Sequence, residues 1–370
     1  MQPVKRAAAR TVFRPTLLRP RTPSRPLSTS APAPPPAPPP SGLATLTSRR
    51  LLTLSGPDAA KFLQGAITAN LLTPSPSPGG FYAAFLTAQG RVLHDVFIYP
   101  SPTVPSTYLI EVDAAHAPTL QRHIKRYQLR SKFTVTPSDD LAVHHLWGAP
   151  PPPGGITLAD PRAPGLGWRV LSPSPPEVDD VPRVSEETYR LRRYLHGVAE
   201  GQAEILRDAA LPLESNLDLM GGVDFRKGCY VGQELTIRTK HRGVVRKRVL
   251  PCVVYPAGGE VPGELGYDAE AAAVVEGIPA ETGIRRVGGA KGRDVGKWLR
   301  GVGNVGLALC RLEAMTDLRM AGEPTVEVGG ADGGEFVVVP GGEKGEGGDG
   351  EVRIKAFVPE WMRRGLAEGR

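Results

Sequence analysis

The spacing of hydrophobic and polar positions changes from segment to segment along the chain. Short apolar runs bounded by turn residues predict strands, whereas apolar residues three and four positions apart predict amphipathic helices. We predict strands over 51–54, 81–86, 92–99, 108–112, 132–136, 141–147, 168–171, 249–254, 305–309 and 336–339, and helices over 59–68, 114–128 and 185–197. Because strands and helices mix without regular βαβ alternation, the pattern indicates an α+β fold.

Composition divides the chain into three parts. Residues 31–40 are almost entirely Ala and Pro, which is typical of a stiff linker. We therefore assign 1–42 to a leader and linker, 43–245 to an α+β body, and 246–370 to a smaller β domain. Within the body, the segment 198–245 is predicted to contain few regular elements. Within the β domain, Gly-rich stretches such as GGEKGEGGDG near the C-terminus are predicted to be loops.

The excess positive charge is confined to the first segment. The chain has 45 Lys and Arg against 38 Asp and Glu, yet no acidic residue precedes Asp58 and seven basic residues lie within 1–48. The rest of the chain is therefore balanced and gives no indication of nucleic-acid binding. No run approaches the roughly 18 apolar residues of a membrane span, so we expect no membrane insertion.

The same first segment is rich in Arg, Ser and Thr and lacks acid, which is the composition of a mitochondrial presequence. The run Arg25-Pro26-Leu27-Ser28 resembles a matrix-protease site with cleavage after Leu27. We predict import into the mitochondrial matrix. A disordered basic tail is the alternative.

Three cysteines, Cys229, Cys252 and Cys310, occur without CxxC spacing. Their odd number in a matrix protein favours free thiols over disulfides. Cys252 and Cys310 lie in strand-like apolar segments and are predicted to be core residues. Cys229 lies in a glycine-containing, turn-like segment with basic residues on both sides, which favours an exposed thiolate able to bind soft metals. An inert, half-buried cysteine is the alternative.

The segment KGCYVGQE, residues 227–234, resembles the signature of the YgfZ branch of the YgfZ/GcvT family. Further segments follow the mitochondrial members of that branch in order and spacing: SGPDAAKFLQG (55–65), FLTAQGRVLHDVFIY (85–99), IKRYQLRSK (124–132), LPLESNLDLM (211–220), ELTIRTKHRGVVRKR (234–248) and GNVGLALCRLE (303–313). The likeness thus covers most of the chain from about residue 43 to residue 313.

This resemblance implies both a fold and a function. The fold is T-protein-like (GcvT/YgfZ): a multi-lobed, folate-binding-type α+β body around a central cavity, with a C-terminal β-barrel-like domain. The function is iron–sulfur maturation, in which mitochondrial members of the branch work with A-type scaffold proteins on [4Fe–4S] clusters. Cys229 is then the expected cluster ligand. An iron–sulfur cluster usually takes four thiolates, so a cluster bound at this one suitable cysteine needs the other ligands from a partner.

The resemblance also implies further ligand-binding residues. In the signature they are Lys227, Gly228, Tyr230, Gly232, Gln233 and Glu234; in the body they are Asp95, Glu214 and Asn216. Glu214, Asn216 and Asp218 occupy alternate positions, so they either project into one cavity or form a solvated turn. For Asp95 the alternative is a strand cap or an ion pair with Arg91.

In T-proteins the corresponding segment resembles the pattern Gly-Gly-x-x-Asp-Asp. In this sequence Asp95 lies at the second acidic position of that pattern, and His94 lies at the first. We therefore expect an assembly factor and not a conventional enzyme. The alternatives are a tetrahydrofolate-dependent aminomethyl transferase and a folate-binding module without cluster contact. The basic run 238–248 is a candidate for binding phosphate or a polyglutamate tail, with a solvated strand edge as the alternative. It carries no interleaved aromatic residues, so nucleic-acid recognition is not expected.

Overall fold

The computed structural model describes residues 35–72, 79–269, 271, 278–288, 294–318, 334–339 and 352–368. The predicted presequence and the predicted Gly-rich loop at 341–350 lie outside these residues. The described residues form two five-stranded sheets and one closed six-stranded barrel. The predicted α+β class is confirmed.

The elements of the body follow one another in this order: β1 (Gly42–Thr45), β2 (Arg49–Ser55), α1 (Ala59–Ala66), β3 (Phe81–Leu86), β4 (Val92–Pro100), β5 (Thr107–Asp113), a 3-10 turn (Ala114–His116), α2 (Ala117–Tyr127), β6 (Thr134–Ser138), β7 (Ala142–Trp147), β8 (Ile156–Ala159), β9 (Trp168–Ser172), β10 (Arg183–Val184), α3 (Glu186–Leu195) and α4 (Gln233–Arg242). The remaining elements are β11 (Lys247–Pro256), β12 (Gly283–Arg286), β13 (Gly296–Val302), β14 (Val305–Arg311), α5 (Leu312–Met315), β15 (Phe336–Val339), β16 (Val352–Ala356) and α6 (Glu360–Glu368).

The first sheet has the strand order β3-β4-β5-β2-β6, and all of its neighbouring strands are antiparallel. One face packs against α1 and α2 through residues such as Leu63, Leu120 and Ile124. The other face contributes Tyr82, Phe97 and neighbouring residues to the largest core cluster. Strand β4 is buried on both faces over 92–99, which explains why its sequence is apolar except at His94 and Asp95.

The second sheet has the order β10-β1-β7-β9-β8, in which only β1 and β10 are parallel. The barrel runs β11-β14-β13-β12-β15-β16 and closes through the pairing of β11 with β16. Closure pairs every strand on both sides and leaves no open edge. Cys252 and Cys310 are free thiols in the barrel core, with their Sγ atoms 3.9 Å apart. Their prediction as core residues is confirmed.

Most predicted elements are present within one or two residues of their predicted bounds. Helix α3 begins after Ser185, whose side chain accepts a hydrogen bond from the backbone N–H of Thr188, the N-cap geometry that the sequence indicates. The prediction that 198–245 holds few regular elements is confirmed, since α4 is the one helix or strand in that fully described segment, but the sequence did not locate this helix. This helix has a weak apolar stripe and begins at a glycine without a side-chain cap, so no local pattern marks it.

Candidate functional site

Cys229 lies in the middle of a loop that we call the cysteine loop, residues 224–232, which leads into α4. Its thiol is exposed. One end of the loop is bound to the last turn of α1 and the other to the segment that follows it: the N–H of Val231 donates to the carbonyl oxygen of Gly65 at 3.1 Å, and the N–H of Asp224 donates to that of Thr68 at 3.0 Å. The body therefore holds the loop by its ends and presents the thiol between them.

Lys227 anchors the same loop from within. Its Nζ donates to the carbonyl oxygens of Gln64, Ile67 and Ala69 at 2.7–2.8 Å, at the C-terminal end of α1. These carbonyls have no partner inside the helix, so the ammonium acts as a helix C-terminal cap supplied from more than 150 residues away. Burial lowers the pKa of Lys227 to about 8, against the opposing effect of Asp224.

The other signature residues also make contacts within the protein. Tyr230 is buried under the Lys227 ammonium, 5.0 Å from the ring centroid, and burial raises the pKa of its hydroxyl to about 12. The side chain of Gln233 accepts a hydrogen bond from the N–H of Tyr230 at 3.2 Å. Glu234 lies exposed in the first turn of α4, where a negative charge favours the helix. Direct ligand contacts by these residues stay predictions.

The two signature glycines differ in their surroundings. Gly232 has φ 80° and precedes α4, and a Cβ atom there would lie 2.2 Å from the carbonyl oxygen of Thr87. A Cβ atom at Gly228 would meet nothing within 4 Å. Gly232 thus allows the backbone to approach the β3–β4 turn closely, whereas Gly228 keeps the space beside Cys229 open.

The basic run 238–248 is divided between two elements. Its first part ends α4, where Lys240 Nζ lies 5.6 Å from the ring of Phe225 in the cysteine loop. Its last part enters β11, where Arg248 is buried and forms an ion pair with Asp218 at 2.9 Å. The run therefore does not form a single solvated strand edge, because its first part belongs to the end of α4 and its last part to the buried strand β11.

The interior of the body contains a set of charged side chains that we call the buried ion network: Arg49, Asp95, Glu111, Asp160, Arg162, Arg169, Arg193, Glu200 and Glu204. Four arginines face five carboxylates, and all nine residues are buried. Arg169 Nη1 lies 2.7 Å from Glu111, and its Nη2 binds both Glu200 and the hydroxyl of Tyr189. Burial alone would raise the pKa of Glu200, but Arg169 and Arg162 hold that pKa well below its usual range.

Asp95 belongs to this network. Its carboxylate lies 3.4 Å from Arg49 Nη1 and accepts hydrogen bonds from the N–H of Gly201 and the amide of Gln202, both at 3.1 Å. The alternative of an ion pair with Arg91 is wrong, because Arg91 donates to the carbonyl oxygen of Ala209 instead. His94 beside it is also buried, and burial lowers the pKa of its imidazole to about 3, so this side chain is neutral.

The three polar residues at alternate positions, Glu214, Asn216 and Asp218, are separated in the structure. Glu214 lines a cavity of about 310 Å³ between the body and the barrel, together with Arg91 and Lys247. Asn216 is fully buried and donates to the carbonyl oxygen of Val249 at 2.7 Å, while Asp218 pairs with a barrel arginine. The one-cavity alternative is wrong because the segment forms successive turns, with Asn216 at φ 61°, instead of an extended strand.

Comparisons with known proteins show what the barrel and the whole chain are similar to. Residues 246–364 match the family model of the CAF17 C-terminal beta-barrel domain. Proteins named "Iron-sulfur cluster assembly factor IBA57 homolog, mitochondrial" from Chaetomium globosum and Pyricularia oryzae are 52% and 53% identical to this chain. The first alignment covers 99% of each chain; the second covers 88% of this chain and 86% of the relative. The chain belongs to the IBA57 family of iron–sulfur cluster assembly factors.

The fold of this IBA57-family chain is also that of an enzyme. The glycine cleavage system aminomethyltransferase T from Bartonella henselae superposes with a TM-score of 0.58 over 87% of this chain and 86% of that chain, at 13% identity. The predicted family resemblance and the predicted T-protein-like fold with a C-terminal barrel are confirmed. No helix in the described part of the chain is long and apolar enough to cross a membrane.

The buried ion network of this IBA57-family chain was not predicted from the sequence. The available signal was a charged residue inside a predicted strand, as at Glu111 in β5 and Arg169 in β9. A lone charge in an apolar strand indicates a buried partner. Strand spacing alone does not say which partner, and here it comes from the other sheet.

Proposed function

We propose that this chain is a mitochondrial iron–sulfur cluster assembly factor in which the Cys229 thiolate holds a cluster jointly with a partner protein. The observation that carries the proposal is the contrast among the three cysteines. Cys229 is exposed on an anchored loop, whereas Cys252 and Cys310 are buried in the barrel. The cluster is the cargo of the protein, and one chain offers one accessible thiol for it.

The loop geometry suits a shared cluster. A cluster usually takes four thiolate ligands, so a partner must supply the ligands that this chain lacks. We infer that the partner is an A-type iron–sulfur scaffold protein and that the clients are [4Fe–4S] enzymes. The open space at Gly228 leaves room for the partner's ligands. The anchors at Lys227 and Val231 hold the thiol in place before the partner arrives, which lowers the entropic cost of binding.

We propose further that the chain is not an aminomethyltransferase. The T-protein fold implies tetrahydrofolate, but the Asp95 carboxylate is buried and already bound to three groups, and the neighbouring position is a neutral histidine. These residues offer no free acid to a folate ring. An assay with tetrahydrofolate and an aminomethylated carrier protein should show no turnover; turnover that depends on Asp95 would contradict this.

We also propose that the protein works in the mitochondrial matrix after removal of about the first 27 residues. The acid-free, Arg-rich first segment supports this, as does the word "mitochondrial" in the relatives' names. N-terminal sequencing of the protein from mitochondria checks the proposal, and a mature chain beginning at Met1 would contradict it.

Replacing Cys229 by serine tests the central proposal. We expect the wild-type protein, mixed anaerobically with a cluster-loaded A-type scaffold, to form a complex with a visible cluster absorption band. Cys229→Ser should weaken or abolish that band, because a hydroxyl is a poor substitute for a thiolate at iron. Its melting temperature should stay that of the wild type, since an exposed substitution commonly costs within about 0.5 kcal/mol.

Cys252→Ser is the matched control. Its sulfur is buried in the barrel core, so a serine there should lower the melting temperature and leave the cluster band intact in the folded fraction. A Cys229→Ser protein with a full-intensity band would end the ligand proposal.

A further inference from the structure

A groove of about 790 Å³ lies beside the cysteine loop, between α1 and the turn that follows α2. Its apolar lining includes Phe62, Tyr127, Leu129 and Val231. Val231 belongs to the cysteine loop and is hydrogen-bonded to the end of α1 through Gly65. The groove and the loop that carries Cys229 are therefore parts of one continuous surface.

Leu129 lines the groove but does not belong to the buried core. Its side chain is 88% exposed. It occupies the second position of a β-turn in which the N–H of Ser131 donates to the carbonyl oxygen of Gln128 at 2.8 Å. Its φ is 47°, a conformation that this turn position normally gives to glycine or asparagine. A leucine kept both exposed and strained suggests a contact with another molecule.

Tyr127 is a second apolar residue of the groove that is exposed to solvent. It is 47% exposed at the end of α2, and its ring packs against His123 with the centroids 4.7 Å apart. The floor of the groove is preformed, because the ring of Phe62 packs against that of Phe133 at a centroid distance of 4.8 Å. Two exposed apolar side chains on a preformed floor match the centre of a protein–protein interface, where aromatic residues are enriched.

The rim of the groove is basic. No acidic residue occurs between Asp113 and Asp139, while that stretch contains five basic residues: Arg122, Lys125, Arg126, Arg130 and Lys132. Lys61 and Arg130 line the groove itself. Within the described residues, neither Lys61 nor Arg130 forms an ion pair. The acidic residue in the lining, Asp58, accepts a hydrogen bond from the backbone N–H of Lys132.

We propose that this groove docks the partner that shares the cluster at Cys229, and that the partner inserts an apolar side chain framed by Asp or Glu residues. The inference rests on the proposed function. Val231 lies two residues from Cys229, so their Cα atoms are within about 7.6 Å of each other. A standard interface covers about 800 Å² on each partner, a patch of roughly 16 Å radius. A partner interface centred on Cys229 therefore extends over Val231, which lines the groove.

An anionic membrane surface is the other class of ligand that basic and apolar residues could attract. The structure favours a protein, because the apolar residues line a concave groove that a flat bilayer does not fill. The continuity of the groove with Cys229 points the same way. Charge complementarity would then act mainly on the association rate and its salt dependence.

The test uses the full-length protein with Leu129→Asn and Arg130→Glu, singly and together. Asparagine tolerates positive φ, so Leu129→Asn keeps the turn and removes the apolar contact. Calorimetric titration with the cluster-loaded A-type scaffold under anaerobic conditions should show at least a tenfold weaker affinity for the double variant. Arg130→Glu alone should also reduce the salt dependence of binding. At saturating scaffold the cluster band should equal that of wild type, because Cys229 is intact.

Val261→Asn and Arg300→Glu provide matched controls, since both residues are exposed on the barrel domain. Their affinities should stay within about twofold of wild type, and all variants should melt like wild type. Wild-type affinity in the groove double variant would overturn the docking inference, whatever Cys229→Ser shows. A Cys229→Ser protein that keeps its band would instead overturn the proposed function.

Two further outcomes are decisive. If wild type does not bind the scaffold at all, both the docking inference and the proposed partner are wrong. Flotation with phosphatidylcholine vesicles containing an anionic lipid tests the membrane alternative. Loss of vesicle binding in the groove variants, with unchanged scaffold affinity, would overturn the inference in favour of a membrane surface.

Discussion

At the scale of single residues, Lys227 shows how a motif residue can serve the fold and the site together. Its ammonium lies two positions from the exposed thiol, but it is bound to three carbonyl oxygens at the end of α1. From the sequence we expected the charge of Lys227 to favour the thiolate form of Cys229. In the structure Lys227 instead fixes the cysteine loop against the body. The position of the thiol therefore depends on a contact to a helix more than 150 residues earlier in the chain.

We expect Lys227→Met to destabilise the protein by about 2–4 kcal/mol, because a charge-assisted set of hydrogen bonds is lost and three carbonyl oxygens lose their partner. Urea unfolding measures the change. Lys61→Met on the exposed side of α1 is the matched control and should stay within about 0.5 kcal/mol of wild type. Equal stability of the two variants would show that these contacts of Lys227 are not needed.

At the scale of elements, the start of α4 is decided by a close approach between two backbones. Gly232 sits in the left-handed region directly before the helix, against the β3–β4 turn. Gly90 in that turn also has positive φ, and a Cβ atom there would lie 2.9 Å from the carbonyl oxygen of Gly232. Two glycines at one contact let the helix begin beside the first sheet.

We expect Gly232→Ala to destabilise the protein by at least about 2 kcal/mol, since alanine adds both left-handed strain and a clash with Thr87. Gly228→Ala, four residues away, should change stability by no more than about 0.5 kcal/mol, because its added methyl group meets open space. Thermal and urea unfolding of the two variants measure this difference in stability. A neutral Gly232→Ala would mean that the turn and the helix are free to separate.

At the scale of the whole molecule, the buried ion network ties the two sheets and α3 into one body. Glu111 and Asp95 come from the first sheet, Arg169 from the second, and Arg193 from α3. The chain shares its fold with an aminomethyltransferase, yet this part of its interior is filled by oppositely charged side chains that form ion pairs with one another. The fold is thus compatible with a role as a rigid support for an exposed thiol.

Removing one member of the buried ion network should lower the stability of the protein. We expect Arg169→Met to destabilise the protein by about 3–5 kcal/mol, because it leaves Glu111 and Glu200 as buried charges without this partner. Arg183→Met is the control: its ion pair with Glu177 is exposed and should contribute less than about 1 kcal/mol. If urea unfolding gives equal values for both, the network contributes no net stability.

The sequence by itself determined the features that depend on neighbouring residues. The apolar run of β4 reflects burial on both faces, and Ser185 caps α3 through a residue three positions away. The apolar strands around Cys252 and Cys310 place both thiols in the barrel core. The family signature at 227–234 identified the cysteine loop and, with the other matching segments, the T-protein-like fold.

Only the tertiary structure decided which distant residues meet. Lys227 binds the end of α1, Arg169 pairs with Glu111, and Val231 joins Tyr127 in one groove. Each of these contacts joins residues 58 or more positions apart in the chain, so no local spacing encodes them. The physical reason is that spacing reports which face of an element is buried. The partner on that face is set by how sheets, helices and loops pack together.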